Sequence, residues 1–124
     1  MNADNYNYFD LLEQKVSDDG SVLFTVKLNP DCSVYQGHFP GNPVCPGVCN
    51  INMIRRCIEH YLNKKLIISD IKQCRFTALI TPIKQSILNL KAVITEAEDG
   101  YNVQGSVFDE KESFIEIKCM MYDV

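Results

Sequence analysis

Only one stretch of this chain repeats its apolar residues with helical spacing. Val48, Ile51, Ile54, Ile58 and Leu62 recur three or four positions apart, and Tyr61 widens the stripe. Pro46-Gly47 opens this segment, and proline suits a first helical turn. Asn63-Lys64-Lys65 suits its end, where cations meet the negative end of the helix dipole. The spacing predicts one long helix from Pro46 to about Asn63, with Arg55, Arg56, Glu59 and His60 towards its polar side.

Around that helix the period is two. Tyr8–Lys15 and Ser21–Leu28 read as strands joined across Asp18-Asp19-Gly20, a hairpin turn sequence. Leu66–Phe76 is a third strand, followed by a bend near Pro82. Leu88, Leu90, Ala92 and Ile94 alternate with polar neighbours, as do Tyr101, Val103 and Val107, then Ile115, Ile117, Cys119 and Met121. The turns Glu98-Asp99-Gly100 and Asp109-Glu110-Lys111-Glu112 are short, so these last three strands pair antiparallel. A twisted antiparallel sheet must cover its apolar face, and one amphipathic helix across its concave side does so. The expected class is therefore α+β, a hotdog fold in which the sheet wraps one central helix, with residues 1–124 as a single domain. One helix leaves sheet edge and helix flank uncovered, which favours a homodimer.

Charge and cysteine content narrow the function classes. Seven Lys/Arg against Glu59 and Asp70 make residues 55–84 basic, within a chain of net charge −4. The acidic balance argues against nucleic acid, while a basic middle can receive an acidic partner or simply face solvent. No apolar run reaches the length of a membrane span, and the polar start has no leader pattern, so a cytoplasmic protein is expected. The six cysteines form no Cys-x-x-Cys pair. Free thiols are the expectation, with no metal site and no cofactor.

Residues 29–44 read as a long loop, and residues 36–48 hold three prolines and three glycines. Such a segment fixes an unusual backbone path around His38. The amides of Gly47 and Val48 then fall at a helix N-terminus, where free N–H groups and the dipole stabilise negative charge. A base beside an oxyanion-stabilising amide is what proton abstraction next to a carbonyl requires.

Gly37-His38-Phe39-Pro40-Gly41-Asn42-Pro43-Val44, followed by Pro46-Gly47-Val48, resembles the signature of the β-hydroxyacyl-(acyl carrier protein) dehydratases of fatty-acid synthesis. The resemblance continues from about Tyr8 to Met121 and includes Cys74-Arg75-Phe76, although Pro82-Ile83-Lys84 stands where that family tends to have Pro-Gly-Asp. It implies His38 as catalytic base and Gly47 as amide donor to the thioester carbonyl, with Val48 adjacent. It also implies an acidic residue fourteen positions after the histidine, and this chain has Asn52 there. An amide does not act as a general acid near neutral pH. The departure is similar to that of dehydratase-like proteins encoded with aryl-polyene or flexirubin-type pigment synthesis.

The implied partner is acyl carrier protein or acyl-CoA bearing a thioester. Three readings stand: a 3-hydroxyacyl dehydratase, a hotdog thioesterase, and a non-catalytic acyl-thioester binder. Tyr35 and Phe39 are candidates for lining an acyl tunnel or packing back on the core. Cys49 sits at the helix start, where thiolates are stabilised, but a packed thiol is the simpler expectation. Arg55 and Arg56 face either an acidic carrier protein or water.

Overall fold

The computed structural model describes residues 9–29, 32, 47–78, 80 and 86–124. Tyr8, the loop residues Tyr35, His38 and Phe39, and the bend at Pro82 lie outside the described residues. Six strands, β1 (Phe9–Val16), β2 (Val22–Leu28), β3 (Leu66–Phe76), β4 (Ile87–Glu96), β5 (Tyr101–Phe108) and β6 (Ser113–Asp123), form one sheet. A single helix, α1 (Gly47–Leu62), lies between β2 and β3 among the described residues. The sheet order is β1-β2-β4-β5-β6-β3, and every neighbouring pair is antiparallel.

This order dictates where the helix runs. The chain leaves β2 and re-enters the sheet at β3, four inter-strand steps away, or about 19 Å at the usual strand spacing. The 16 residues of α1 span about 24 Å, so the helix can make the crossing over β4, β5 and β6. The result is the hotdog arrangement expected from the alternating segments and the single helical stripe.

The core lies between that helix and the inner face of the sheet. Val22, Phe24, Val26 and Leu28 of β2 point into it, as do Leu88, Leu90 and Ala92 of β4. Tyr101, Val103 and Val107 of β5 and Ile115, Ile117, Cys119 and Met121 of β6 complete the inner face. From α1 come Cys49, Met53, Ile54, Cys57 and Ile58. The buried arc therefore differs from the expected stripe, because Ile51 is only partly buried while Met53 and Cys57 are fully inside. Methionine and free cysteine pack as apolar residues, which a stripe drawn through aliphatic side chains overlooks. Gly105 lets the helix seat closely: a Cβ there would lie 3.2 Å from Ile117 Cγ2 and 3.4 Å from Ile54 Cγ2.

Local chemistry sets the element ends. Gly20 adopts φ 87° in the β1–β2 turn, and Asp19 Oδ1 accepts from Ser21 N at 3.0 Å and Ser21 Oγ at 2.6 Å. Asn63 has φ 56° and Lys64 N donates to Glu59 O at 3.2 Å, the Schellman end of a helix. Gly100 closes the β4–β5 turn against β6, where an added Cβ would collide with the Met121 carbonyl oxygen and lie 2.9 Å from Tyr122 Cδ1. Gly100→Ala is expected to cost about 1–3 kcal/mol, the usual scale of overpacking. Urea denaturation checks this, and an unchanged midpoint would contradict the close approach.

Edge strand β3 is only half covered. Residues opposite each other in a sheet share a face, and Ile68, Ile71, Cys74 and Phe76 stand opposite the buried Met121, Cys119, Ile117 and Ile115. They face inward, yet Ile71 is 47% and Phe76 52% exposed. An apolar strip therefore continues the core beyond the reach of the helix. Among the described residues no helix is long and apolar enough to cross a membrane.

Candidate functional site

Of the candidate site residues, the structure describes Gly47 and Val48 as the backbone of the helix start, and Asn52. Helix α1 begins at Gly47 and has no acidic side chain in its first turn. The positive end of its dipole is thus not neutralised by its own residues. Asn52 follows five residues later, about 7.5 Å along the axis, on a partly buried flank. His38, Tyr35 and Phe39 belong to the segment outside the described residues.

Asn52 is held by its own helix. Its Oδ1 accepts from Arg55 Nε at 3.2 Å and also from Arg55 Nη2. Arg55 Nη1 donates to Glu59 Oε2 at 2.9 Å and to the Leu66 carbonyl at 3.3 Å. Leu66 N donates to the same Glu59 oxygen at 2.7 Å. One chain of hydrogen bonds therefore runs from Asn52 through an ion pair to the first peptide of β3. The Arg55 and Glu59 side chains are 14% and 12% exposed, so this pair is largely withdrawn from solvent.

The basic residues of the helix are thus engaged within the fold. Arg55 is not an outward cation waiting for an acidic partner, because its guanidinium is engaged on three sides. Arg56 lies over the Phe9 ring at 4.7 Å, a cation–π contact that ties α1 to β1. His60 is exposed and its Nδ1 lies 2.9 Å from Gln14 Oε1. The sequence carried a signal for the Arg55–Glu59 pair in its i,i+4 spacing, but no signal for the Leu66 peptide that it grips.

Among the described residues, the thiols of Cys49, Cys57 and Cys119 are packed in the core. Cys49 is fully buried, and burial pushes its thiol above the ordinary range, with Cys32 nearby adding to the effect. Burial likewise pushes Cys57 up to about 12 and Cys119 up to about 11. A thiol held protonated is a poor nucleophile, so a reactive Cys49 at the helix start is not supported.

Free N–H groups at a helix start stabilise negative charge such as that on a polarised carbonyl oxygen, and a side-chain amide such as that of Asn52 hydrogen-bonds hydroxyl groups. The family assignment comes from the chain itself: residues 13–113 match the sequence profile of the ApeI-like proteins, described as ApeI dehydratase. The chain belongs to the ApeI-like dehydratase family. The matched span contains His38, Gly47 and Asn52. A 3-hydroxyacyl-(acyl-carrier-protein) dehydratase FabZ from Caldicellulosiruptor saccharolyticus is 31% identical over 96 residues, covering 68% of this chain and 69% of that protein. The FabZ of Lactiplantibacillus plantarum is 32% identical over 69 residues, or 50% of this chain and 47% of its own length. Among solved structures, a chain of the dehydratase heterocomplex ApeI:P from Xenorhabdus doucetiae superposes with a TM-score of 0.71 at 18% identity. That superposition covers 91% of this chain and 96% of the other, and it shows that the two chains share the fold.

Proposed function

We propose that this ApeI-like protein dehydrates 3-hydroxyacyl thioesters presented on acyl carrier protein, in fatty-acid or polyene-type synthesis. The observation that carries the reading is the helix start at Gly47, free of acidic side chains, within a stretch of sequence that matches the family's profile. His38 takes the proton from C2, next to the thioester carbonyl. The Gly47 amide donates to the carbonyl oxygen, where negative charge develops, and Val48 flanks it. The C3–O bond then breaks, the C2=C3 double bond forms and the hydroxyl leaves as water.

The departing hydroxyl needs a proton, and Asn52 has none to give. In this reading His38 returns the proton it has just accepted, on the same face of the substrate. Asn52 holds the hydroxyl through its amide, and Phe39 and Tyr35 line the acyl path. The protein works in the cytoplasm, where its thiols stay reduced.

Incubation with a 3-hydroxyacyl carrier-protein substrate, followed by mass, is the direct test. Loss of one water with the thioester intact is expected. Release of free carrier thiol would favour the hotdog thioesterase, and neither change would favour a non-catalytic binder.

The apolar strip on β3 motivates the second part of the proposal, a homodimer with His38 of one chain facing Asn52 of the other. Its inward-facing Ile71 and Phe76 are half exposed in one copy. Light scattering is expected to give a dimer for the native chain and a monomer for Ile71→Glu with Phe76→Glu. A native chain that stays monomeric at tens of micromolar would remove the shared site.

A further inference from the structure

The group that most constrains position 52 sits one turn further along the helix. Arg55 Nε lies 3.2 Å from Asn52 Oδ1, and Arg55 Nη2 donates to the same atom. A guanidinium carries donors only, so the amide atom facing it must be the carbonyl oxygen. The two N–H donors of Asn52 are then turned away from Arg55. The guanidinium itself is anchored, because Glu59 Oε2 and the Leu66 carbonyl hold Nη1 at 2.9 and 3.3 Å. Glu59 is in turn held by the Leu66 N–H at 2.7 Å.

We propose that Arg55 is a positioning residue that fixes the Asn52 amide as a neutral hydrogen-bond donor and bars a proton-donating acid from position 52. The inference rests on the reading of position 52 as part of the acyl-thioester site. A carboxyl group placed there would meet an anchored cation at hydrogen-bond distance, and an opposite charge favours the ionised form. A carboxylate only accepts hydrogen bonds, so it could neither protonate a leaving hydroxyl nor donate to it. An amide is compatible with the same cation, since its oxygen satisfies Arg55 while its nitrogen still donates. Asn52 and Arg55 therefore form one device, and Asn52 alone is not a simple loss of an acid.

The test compares Asn52→Asp alone with Asn52→Asp on an Arg55→Met, Glu59→Gln background, where the introduced glutamine still has an oxygen for the Leu66 N–H. The carboxyl carbon introduced at position 52 is followed by NMR through a pH titration of the free protein. The single variant is expected to ionise at lower pH, with an ionisation constant about ten- to a thousandfold larger than in the triple variant. Water loss from the 3-hydroxyacyl carrier-protein substrate is expected to stay at or below the native rate in the single variant and to rise only in the triple variant, at pH values where its carboxyl is protonated.

Equal titration in the two backgrounds overturns the role of Arg55, and so does a faster rate from Asn52→Asp alone. A titration difference without turnover in any protein, the native one included, supports Arg55 and instead sinks the dehydratase reading. Should the triple variant fail to fold, the side-chain amide signals of Asn52 are compared between the native chain and Arg55→Lys. Lysine lacks the two-donor fork, so displaced or broadened signals are expected, and identical signals overturn the proposal.

Discussion

His38→Ala is expected to remove turnover of a 3-hydroxyacyl thioester while leaving the fold and its thermal midpoint close to native. A general acid or base contributes about 10²–10⁴-fold. In the mechanism proposed, one imidazole serves as both, because Asn52 supplies no proton. The loss should therefore reach the upper end of that range, and little rate would be left to detect. The test is a side-by-side rate measurement, with circular dichroism confirming the fold. Native rates from a folded His38→Ala protein would make the histidine structural and remove the proton-transfer scheme with it.

Glu59→Ala should produce the largest change in stability. The substitution removes the carboxylate that Arg55 Nη1 meets at 2.9 Å, in a setting where the Arg55 side chain is 14% exposed, and it leaves the Leu66 N–H without the acceptor that it meets at 2.7 Å. Breaking a withdrawn ion pair from one side costs about 3 kcal/mol or more, which for a chain of this size is a fall of about 10 °C in Tm. Glu59→Gln keeps an oxygen for Leu66 and should lose less than Glu59→Ala. Equal, small losses for both would mean that the pair is screened like a surface salt bridge and does not tie α1 to β3.

In the proposed scheme the effects of His38 and Glu59 meet at Asn52. Glu59 and the Leu66 peptide set where Arg55 sits, Arg55 sets which way the Asn52 amide faces, and His38 is proposed to work opposite that amide. Stability and chemistry are coupled through these contacts, so Glu59→Ala is also expected to disturb Asn52. Loss of rate in that variant should accordingly be read only in the folded fraction.

Local features of the sequence determined most of the architecture. Alternation of Leu88, Leu90 and Ala92, or of Ile115, Ile117 and Cys119, specifies which strand face is buried, because the side-chain period of a strand is two. Gly20 and Asn63 mark a turn and a helix end because they tolerate the positive φ found at both places. The long His38 motif was recognisable in the sequence by its resemblance to a dehydratase signature, and its loop lies outside the described residues.

Tertiary structure decided what depends on partners far apart in the chain. The place of β3 beside β6 rather than β2 is a matter of where the crossing helix delivers the chain, and it is what leaves Ile71 and Phe76 facing inward yet only half covered. Met53 and Cys57 are in the core because the sheet buries a broader arc of α1 than the aliphatic stripe describes, while Gly105 admits Ile54 closely. Helical spacing alone allows Arg55 to reach Asn52, Glu59 or water. Which of them it holds was settled by the Leu66 peptide, whose carbonyl and N–H anchor the Arg55–Glu59 pair from another element, and no local pattern in the sequence encodes that contact.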